Sequence, residues 1–168
     1  MAKSAFSVLI DDKALKELSK QLKKEINQAI TSKVAKEVGS TVVKEMKRMI
    51  AAGLSPIREK GRFEGYRGGY LDAIRKGRLR GKRERPVNLK LSGDFLKSLT
   101  SSVRLNGGTV IYFNSAKSRK KEQGHREEHN NQAKRPIIPQ GSEEFAVSIM
   151  RKIEKIYTQR IIDVLNRL

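Results

Sequence analysis

Residues 101–114 read "SSVRLNGGTVIYFN". Two runs of alternating polar and apolar residues flank Asn106-Gly107-Gly108. Alternation with a period of two sends successive side chains to opposite faces of a strand, and Asn-Gly supplies the positive-φ residues that a tight turn needs. The stretch predicts a β-hairpin. It is the clearest local signal in the chain, and the helices around it are expected to pack on a sheet.

Just before the hairpin, "LSGDFLKSL" (91–99) predicts a short helix capped by Ser92 that buries Phe95, Leu96 and Leu99. Further upstream, residues 52–86 form a Gly- and Arg-rich stretch with Phe63, Tyr66 and Tyr70 interleaved. Turn signals dominate it, apart from a short helix over Tyr70–Arg75. Ten apolar positions, Leu15, Leu18, Leu22, Ile26, Ile30, Val34, Val38, Val42, Met46 and Ile50, predict a long helix over Lys13–Ile50. From Leu18 onward they recur every fourth residue, which overshoots a helical turn by roughly 40°. The stripe must spiral, so either the helix breaks near Gly39-Ser40 or its two halves face different neighbours. Ahead of it, Phe6, Val8 and Ile10 predict a short strand over Ala5–Ile10, and Asp11 or Asp12 serves as N-cap.

After the hairpin, residues 117–132 hold no apolar side chain and are expected to be a solvated loop. "RPIIP" (135–139) predicts an extended sheet edge between prolines. Ser142 is expected to cap a last helix, with Glu143 and Glu144 at its positive end and a stripe of Phe145, Ile149, Ile153, Ile156, Ile161, Val164 and Leu168. The expected fold is a single α+β domain over 1–168: a small antiparallel sheet with a β-hairpin, packed by a long N-terminal helix and a long C-terminal helix. Within it, 5–50 is strand plus long helix, 52–90 a basic loop region, and 91–168 the short helix, hairpin, polar loop and final helix.

The formal net charge is +19. Such an excess repels itself in a compact state and points to nucleic acid, an anionic membrane or an acidic protein surface as partner. From Arg58 to Lys90 twelve Lys/Arg stand against four Asp/Glu. Arg58, Arg62, Arg67, Arg75, Lys76, Arg78, Arg80, Lys82, Arg83 and Arg85 are candidate contacts to DNA phosphates or to a neighbouring subunit. The chain has no cysteine, which excludes disulfides and thiolate chemistry. The first residues carry too short an apolar run for a signal peptide or a membrane span, so a soluble protein made in a cytoplasm is expected.

His125-Arg126-Glu127-Glu128-His129 fits H-x-x-E-H, a zinc-peptidase pattern, and holds both histidines of the chain. That chemistry needs a packed helix and a third ligand, for which only Glu143 or Glu144 is at hand. With Gly124 before it and Asn130-Asn131-Gln132 after it, the segment reads better as the tip of a charged loop. Gly65, Gly68 and Gly69 do not form a phosphate-cradling P-loop, and no nucleophile set is placed by spacing. No metal and no cofactor are expected, and an enzyme is not indicated.

"RPVNLKLSGDFLKSLTSSV", the hairpin, a polar loop, "HNNQAKRPIIP" and a closing helix follow one another in an order that resembles the tail-completion (head–tail joining, virion morphogenesis) proteins of tailed bacteriophages. The matching positions are Leu91, Ser92, Gly93, Phe95 or Leu96, Ser98, His129, Arg135, Pro136 and Ile137. "GRFEGYRGGYLDAI" is similar to a Phe-x-x-Tyr…Tyr segment of some members. The match covers residues 56–168. It departs from the family at Ile137, where an aromatic is usual, and in the charge of 117–132. The resemblance implies a non-enzymatic virion protein made in the host bacterial cytoplasm. It forms a ring, six-fold by preference, at the neck or tail top, beside other neck, portal or tail proteins and around passing genomic DNA read without sequence preference. The main rival is a free, sequence-nonspecific nucleic-acid-binding protein; a membrane partner is not expected.

Overall fold

The computed structural model describes residues 12–29, 32–89, 93–104, 108–127 and 132–167. In chain order the elements are α1 (Asp12–Ala29), α2 (Ser32–Ala51), α3 (Gly68–Arg75), α4 (Asp94–Lys97), β1 (Leu99–Val103), β2 (Thr109–Phe113), α5 (Ala116–Arg126) and α6 (Val147–Leu165). The class is α+β, and among the described residues the sheet is a single antiparallel hairpin. Leu99 pairs with Phe113 and Val103 with Thr109. Leu99 and Phe113 are both buried, so this end of the hairpin enters the core.

α2 is the central element. Val34, Val38, Val42, Met46 and Ile50, the four-residue stripe, are all buried. α2 has two neighbours, the hairpin and α6. Its first half meets the hairpin: Thr109 donates its hydroxyl to the Ala35 carbonyl at 2.7 Å. There α2 passes unbroken through Gly39, where a Cβ would stand 2.6 Å from Ser101 Oγ. Of the two alternatives for the spiralling stripe, a break near Gly39-Ser40 does not occur; Gly39 is small because the hairpin crosses there. Along its length α2 is also joined to α6, which runs antiparallel to it. Arg160 binds Glu37 at 2.9 Å, Lys152 binds Glu45 at 2.5 Å, and Ser148 donates to Met49 Sδ at 3.6 Å.

Glu45 is buried and accepts from both Arg48 and Lys152. Arg48, foremost, and Lys152 hold its carboxyl down at about 2 against the opposing cost of burial. A charge buried with two cations is tied in place, and breaking it by removing either partner is costly.

Four expectations are corrected. The first part of the expected loop over 117–132 is a helix: Ala116–Arg126 form α5, capped by Ser115, whose side chain accepts from the Ser118 N–H, while residues 128–131 lie outside the described residues. α5 docks through polar groups, which hydropathy cannot register. Ser118 and Glu122 are buried, and Glu122 Oε1 accepts the backbone N–H of both Ile137 and Ile138 at 3.1 Å. Second, "RPIIP" is not a sheet edge; those two N–H groups go to Glu122 instead of a strand. Third, Ser142 does not cap α6, which begins five residues later after Ala146. Glu143 and Glu144 bind Arg126 and Arg58 at 3.1 and 2.6 Å instead of facing a helix end. Fourth, the short helix starts at Asp94 with Gly93, at φ 87°, in the N-cap position expected for Ser92. The predicted strand over Ala5–Ile10, Ser92 itself and the hairpin tip lie outside the described residues.

Candidate functional site

Two stretches far apart in the chain, "GRFEGYRGGY" and "QAKRPIIP", lie against each other. Arg135 is buried, and its guanidinium donates from Nε and Nη2 to the Glu64 carbonyl at 3.1 and 3.0 Å and from Nη2 to the Gly65 carbonyl at 2.8 Å. The same guanidinium sits 4.7 Å from the centroid of the Tyr66 ring. Gln132 clamps the backbone of Arg67 from both sides: its Nε2 donates to the carbonyl at 2.9 Å and its Oε1 accepts the N–H at 3.2 Å. These bonds order a segment whose glycines and arginines would not fold by themselves. α5 closes the arrangement, since the His125 carbonyl accepts the Arg135 N–H at 2.6 Å.

Between the 66–89 segment, α4 and α5 lies a cavity of about 790 Å³. Its walls carry Tyr66, Tyr70, Leu89 and Phe95, and its polar side chains are Arg67, Lys82, Lys121, His125, Gln132 and Arg135. The Tyr66 and Tyr70 rings meet at 5.1 Å, tilted by 46°. His125 leans on Phe95 at 5.5 Å, and Phe95 stacks on Phe113 at 4.7 Å. Lys82 donates to the Tyr66 hydroxyl at 3.2 Å and lies 5.3 Å from the ring centroid. Leu89 takes a left-handed φ of 47°, a conformation that an ordinary side chain adopts only when its surroundings hold it.

Electrostatically the cavity is one-sided. Burial, then Arg135 and Lys121, push the Lys82 ammonium down to about 8. Burial, then Lys82, Arg135 and Lys121, push the His125 imidazole down to about 4, so it is neutral at pH 7. Burial pushes the Tyr66 hydroxyl up to about 12. Lys82, Lys121 and Arg135 form no ion pair with a described carboxylate. The nearest acid that acts on Arg135, Glu64, is held by Arg67 at 2.5 Å.

The residues expected to matter divide by surroundings. Gly93, Phe95, Leu96, Ser98, Arg135, Pro136 and Ile137 are structural: Phe95, Ser98, Arg135 and Ile137 are buried, Leu96 packs on the core, and the Pro136 carbonyl accepts the Ser55 hydroxyl at 3.2 Å. Leu91, Ser92 and His129 lie outside the described residues. Arg58, Arg67 and Arg75 are tied to Glu144, Glu64 and Glu84. Arg62, Lys76, Arg78, Arg80 and Arg83 are exposed without an ion pair among the described residues, and Arg85 is exposed near Glu84. Of that set, Lys82 and Arg67 line the cavity, and Arg67 is held there by Glu64. His125, read as part of a loop tip, is a cavity wall residue instead. Sequence reasoning missed Glu122, Lys121 and Gln132. Their only sequence signal is the i, i+4 spacing of Lys121 with His125 and of Glu122 with Arg126, which fits one turn of a helix.

Among the described residues no three His, Asp or Glu side chains come together as a metal site. None of the described helices is long and apolar enough to cross a membrane. No family model, curated protein or solved structure matches the chain.

Proposed function

We propose that the chain is a non-enzymatic structural subunit of the neck or tail junction of a tailed-phage virion. In this reading it forms a homo-oligomeric ring, six-fold by preference, that completes or joins the tail and lets the genome pass. The observation that carries the assembly is that α6 leaves apolar side chains exposed at both ends of its outer surface. Its inward face holds Ile149, Ile153, Ile156 and Val164 against the core. Its outward face exposes Val147, Met150, Ile161, Ile162 and Leu165, and α1 exposes Leu15 and Leu18. Apolar stripes of this kind on a soluble surface mark an interaction site. A closed, head-to-tail ring would cover these exposed residues on each subunit with a different surface of its neighbour.

The order of motifs from residue 56 to 168 supports the virion setting. Exposed cations from Arg62 to Arg85, set on turns, suit sequence-blind contact with DNA in a lumen. Those same cations favour the second reading, a free basic nucleic-acid-binding protein. Sedimentation over a range of concentrations separates the two: the first reading requires a closed oligomer, and the second is met by a monomer that binds duplex DNA with a steep salt dependence.

A further inference from the structure

We propose that the cavity between the 66–89 segment and α5 binds a phosphate monoester carried on a flat ring, the chemistry of a nucleotide. The inference stands apart from the assembly reading, because it concerns a site within one chain.

Three cations converge here, Lys82, Lys121 and Arg135, none of them ion-paired to a described carboxylate, while a fourth, Arg67, is held by Glu64. Lys82 and Arg135 lie over one and the same ring, at 5.3 and 4.7 Å from its centroid, and Lys121 joins them on the cavity wall. Burial first, and the neighbouring cations after it, depress Lys82 and His125, and like charges gathered in a partly desolvated space weaken the fold. Groups that oppose folding in this way are characteristic of binding sites, where a ligand supplies the missing counter-charge. Arg135 spends Nε and Nη2 on backbone carbonyls, so it acts as a fixed charge and not as a two-pronged carboxylate clamp. Lys82 and Lys121 are compact point charges, which suit phosphate. Three cations also match a dianion better than a single carboxylate.

The rest of the cavity suits a ring. Tyr70 is 36% exposed beside the buried Tyr66, which leaves part of its ring free for stacking. Phe95, Leu79 and Leu89 complete an apolar wall. The volume of about 790 Å³ falls within the ~300–1,000 Å³ of small-molecule sites. A free mononucleotide and the phosphorylated end of a single strand share this chemistry.

Isothermal titration calorimetry of the full chain at pH 8 tests the proposal with AMP, adenosine and inorganic phosphate. AMP is expected to bind at least about tenfold tighter than either part alone. Binding should take up protons, seen as a heat that depends on the buffer, because the phosphate restores the charge of Lys82. Lys82→Met should weaken AMP by about tenfold or more, while Lys155→Met, on the exposed side of α6, should leave it unchanged. Circular dichroism checks that each variant is folded, and Lys121→Met replaces Lys82→Met if the latter is not. A short oligonucleotide with a 5′-phosphate that binds tighter than AMP assigns the site to a strand end; AMP as the tighter ligand assigns it to a free nucleotide. The proposal is overturned if adenosine or phosphate binds as well as AMP. It is equally overturned if a folded Lys82 or Lys121 variant keeps full affinity, or if the unphosphorylated oligonucleotide matches the phosphorylated one.

Discussion

Gly39 of α2 and Ser101 of β1 are in such close contact that a methyl group at position 39 would stand 2.6 Å from Ser101 Oγ and 2.8 Å from its Cβ. In an exposed helix, Gly→Ala stabilises by about 1 kcal/mol. Here overpacking reverses the sign: Gly39→Ala should lower stability by about 1–3 kcal/mol. Ser101→Gly in the same chain should recover part of it, provided Thr109, whose Cγ2 lies 2.9 Å from the same point, can shift. Urea unfolding measures both, and a stabilising Gly39→Ala would contradict the crossing of helix and hairpin.

The cavity histidine makes the fold acid-sensitive. The His125 imidazole falls from 6.5 to about 4 on folding, through burial and then Lys82, Arg135 and Lys121. A group depressed in the folded state contributes stability above its unfolded value and loses it as pH falls through the folded one. Stability should therefore decline from about pH 6.5 to about pH 4, and His125→Gln should flatten that decline. Glu45, depressed from 4.5 to about 2 by Arg48 first, acts the same way at lower pH. It contributes up to about 3 kcal/mol that is lost between about pH 5 and pH 2. Thermal melts across pH 7 to 2 separate the two: Glu45→Gln should lower stability at neutral pH and flatten the decline only in the lower window.

Limited trypsin digestion tests α5 directly. Lys117, Arg119, Lys120, Lys121 and Arg126 are all cleavage sites, yet they sit on a helix anchored by Glu122. Cuts at Lys76, Arg78, Arg80 and Arg83, on exposed turns, should come first by mass spectrometry. Early cutting within 117–126 would show that α5 does not persist.

How much of this was legible in the sequence depends on what kind of force holds each element. The hairpin and α2 were readable because their signals are local turn chemistry and apolar periodicity. α5 was not, because Glu122 and His125 dock it through hydrogen bonds and ring contact, and neither adds to an apolar stripe. The start of α6 was misplaced because Ser142-Glu143-Glu144 is a good capping sequence whose acids are drawn instead to Arg58 and Arg126. The cavity was invisible for a further reason. Lys82, Lys121 and Arg135 are far apart in the chain and converge only because Gln132 and Arg135 hold the 64–67 backbone.

That backbone clamp carries its own prediction. Arg135→Lys keeps the charge but loses the planar fork that reaches two carbonyls at once, so it should destabilise by about 2 kcal/mol or more. Gln132→Ala, which loses two exposed bonds, should cost about 1 kcal/mol. Equal stability of Arg135→Lys and the unaltered chain would show that the carbonyl contacts are not made.

The outward face of α6 gives a test of assembly that spares the fold. Met150 and Ile161 are 45% and 38% exposed, so Met150→Glu with Ile161→Glu should leave the melting temperature within a few degrees of the unaltered chain. The same pair places charge in the middle of the proposed subunit contact and should abolish the oligomer. A double variant that still assembles would move the contact elsewhere.

The most direct measurement is the mass of the purified chain by sedimentation velocity over a wide concentration range, at a salt concentration that screens its +19 charge. A ring subunit should pass from the 19.0 kDa monomer to one discrete closed species, about six times that mass, with no ladder beyond it. A chain that stays at 19.0 kDa at every concentration, while binding duplex DNA, would contradict the account.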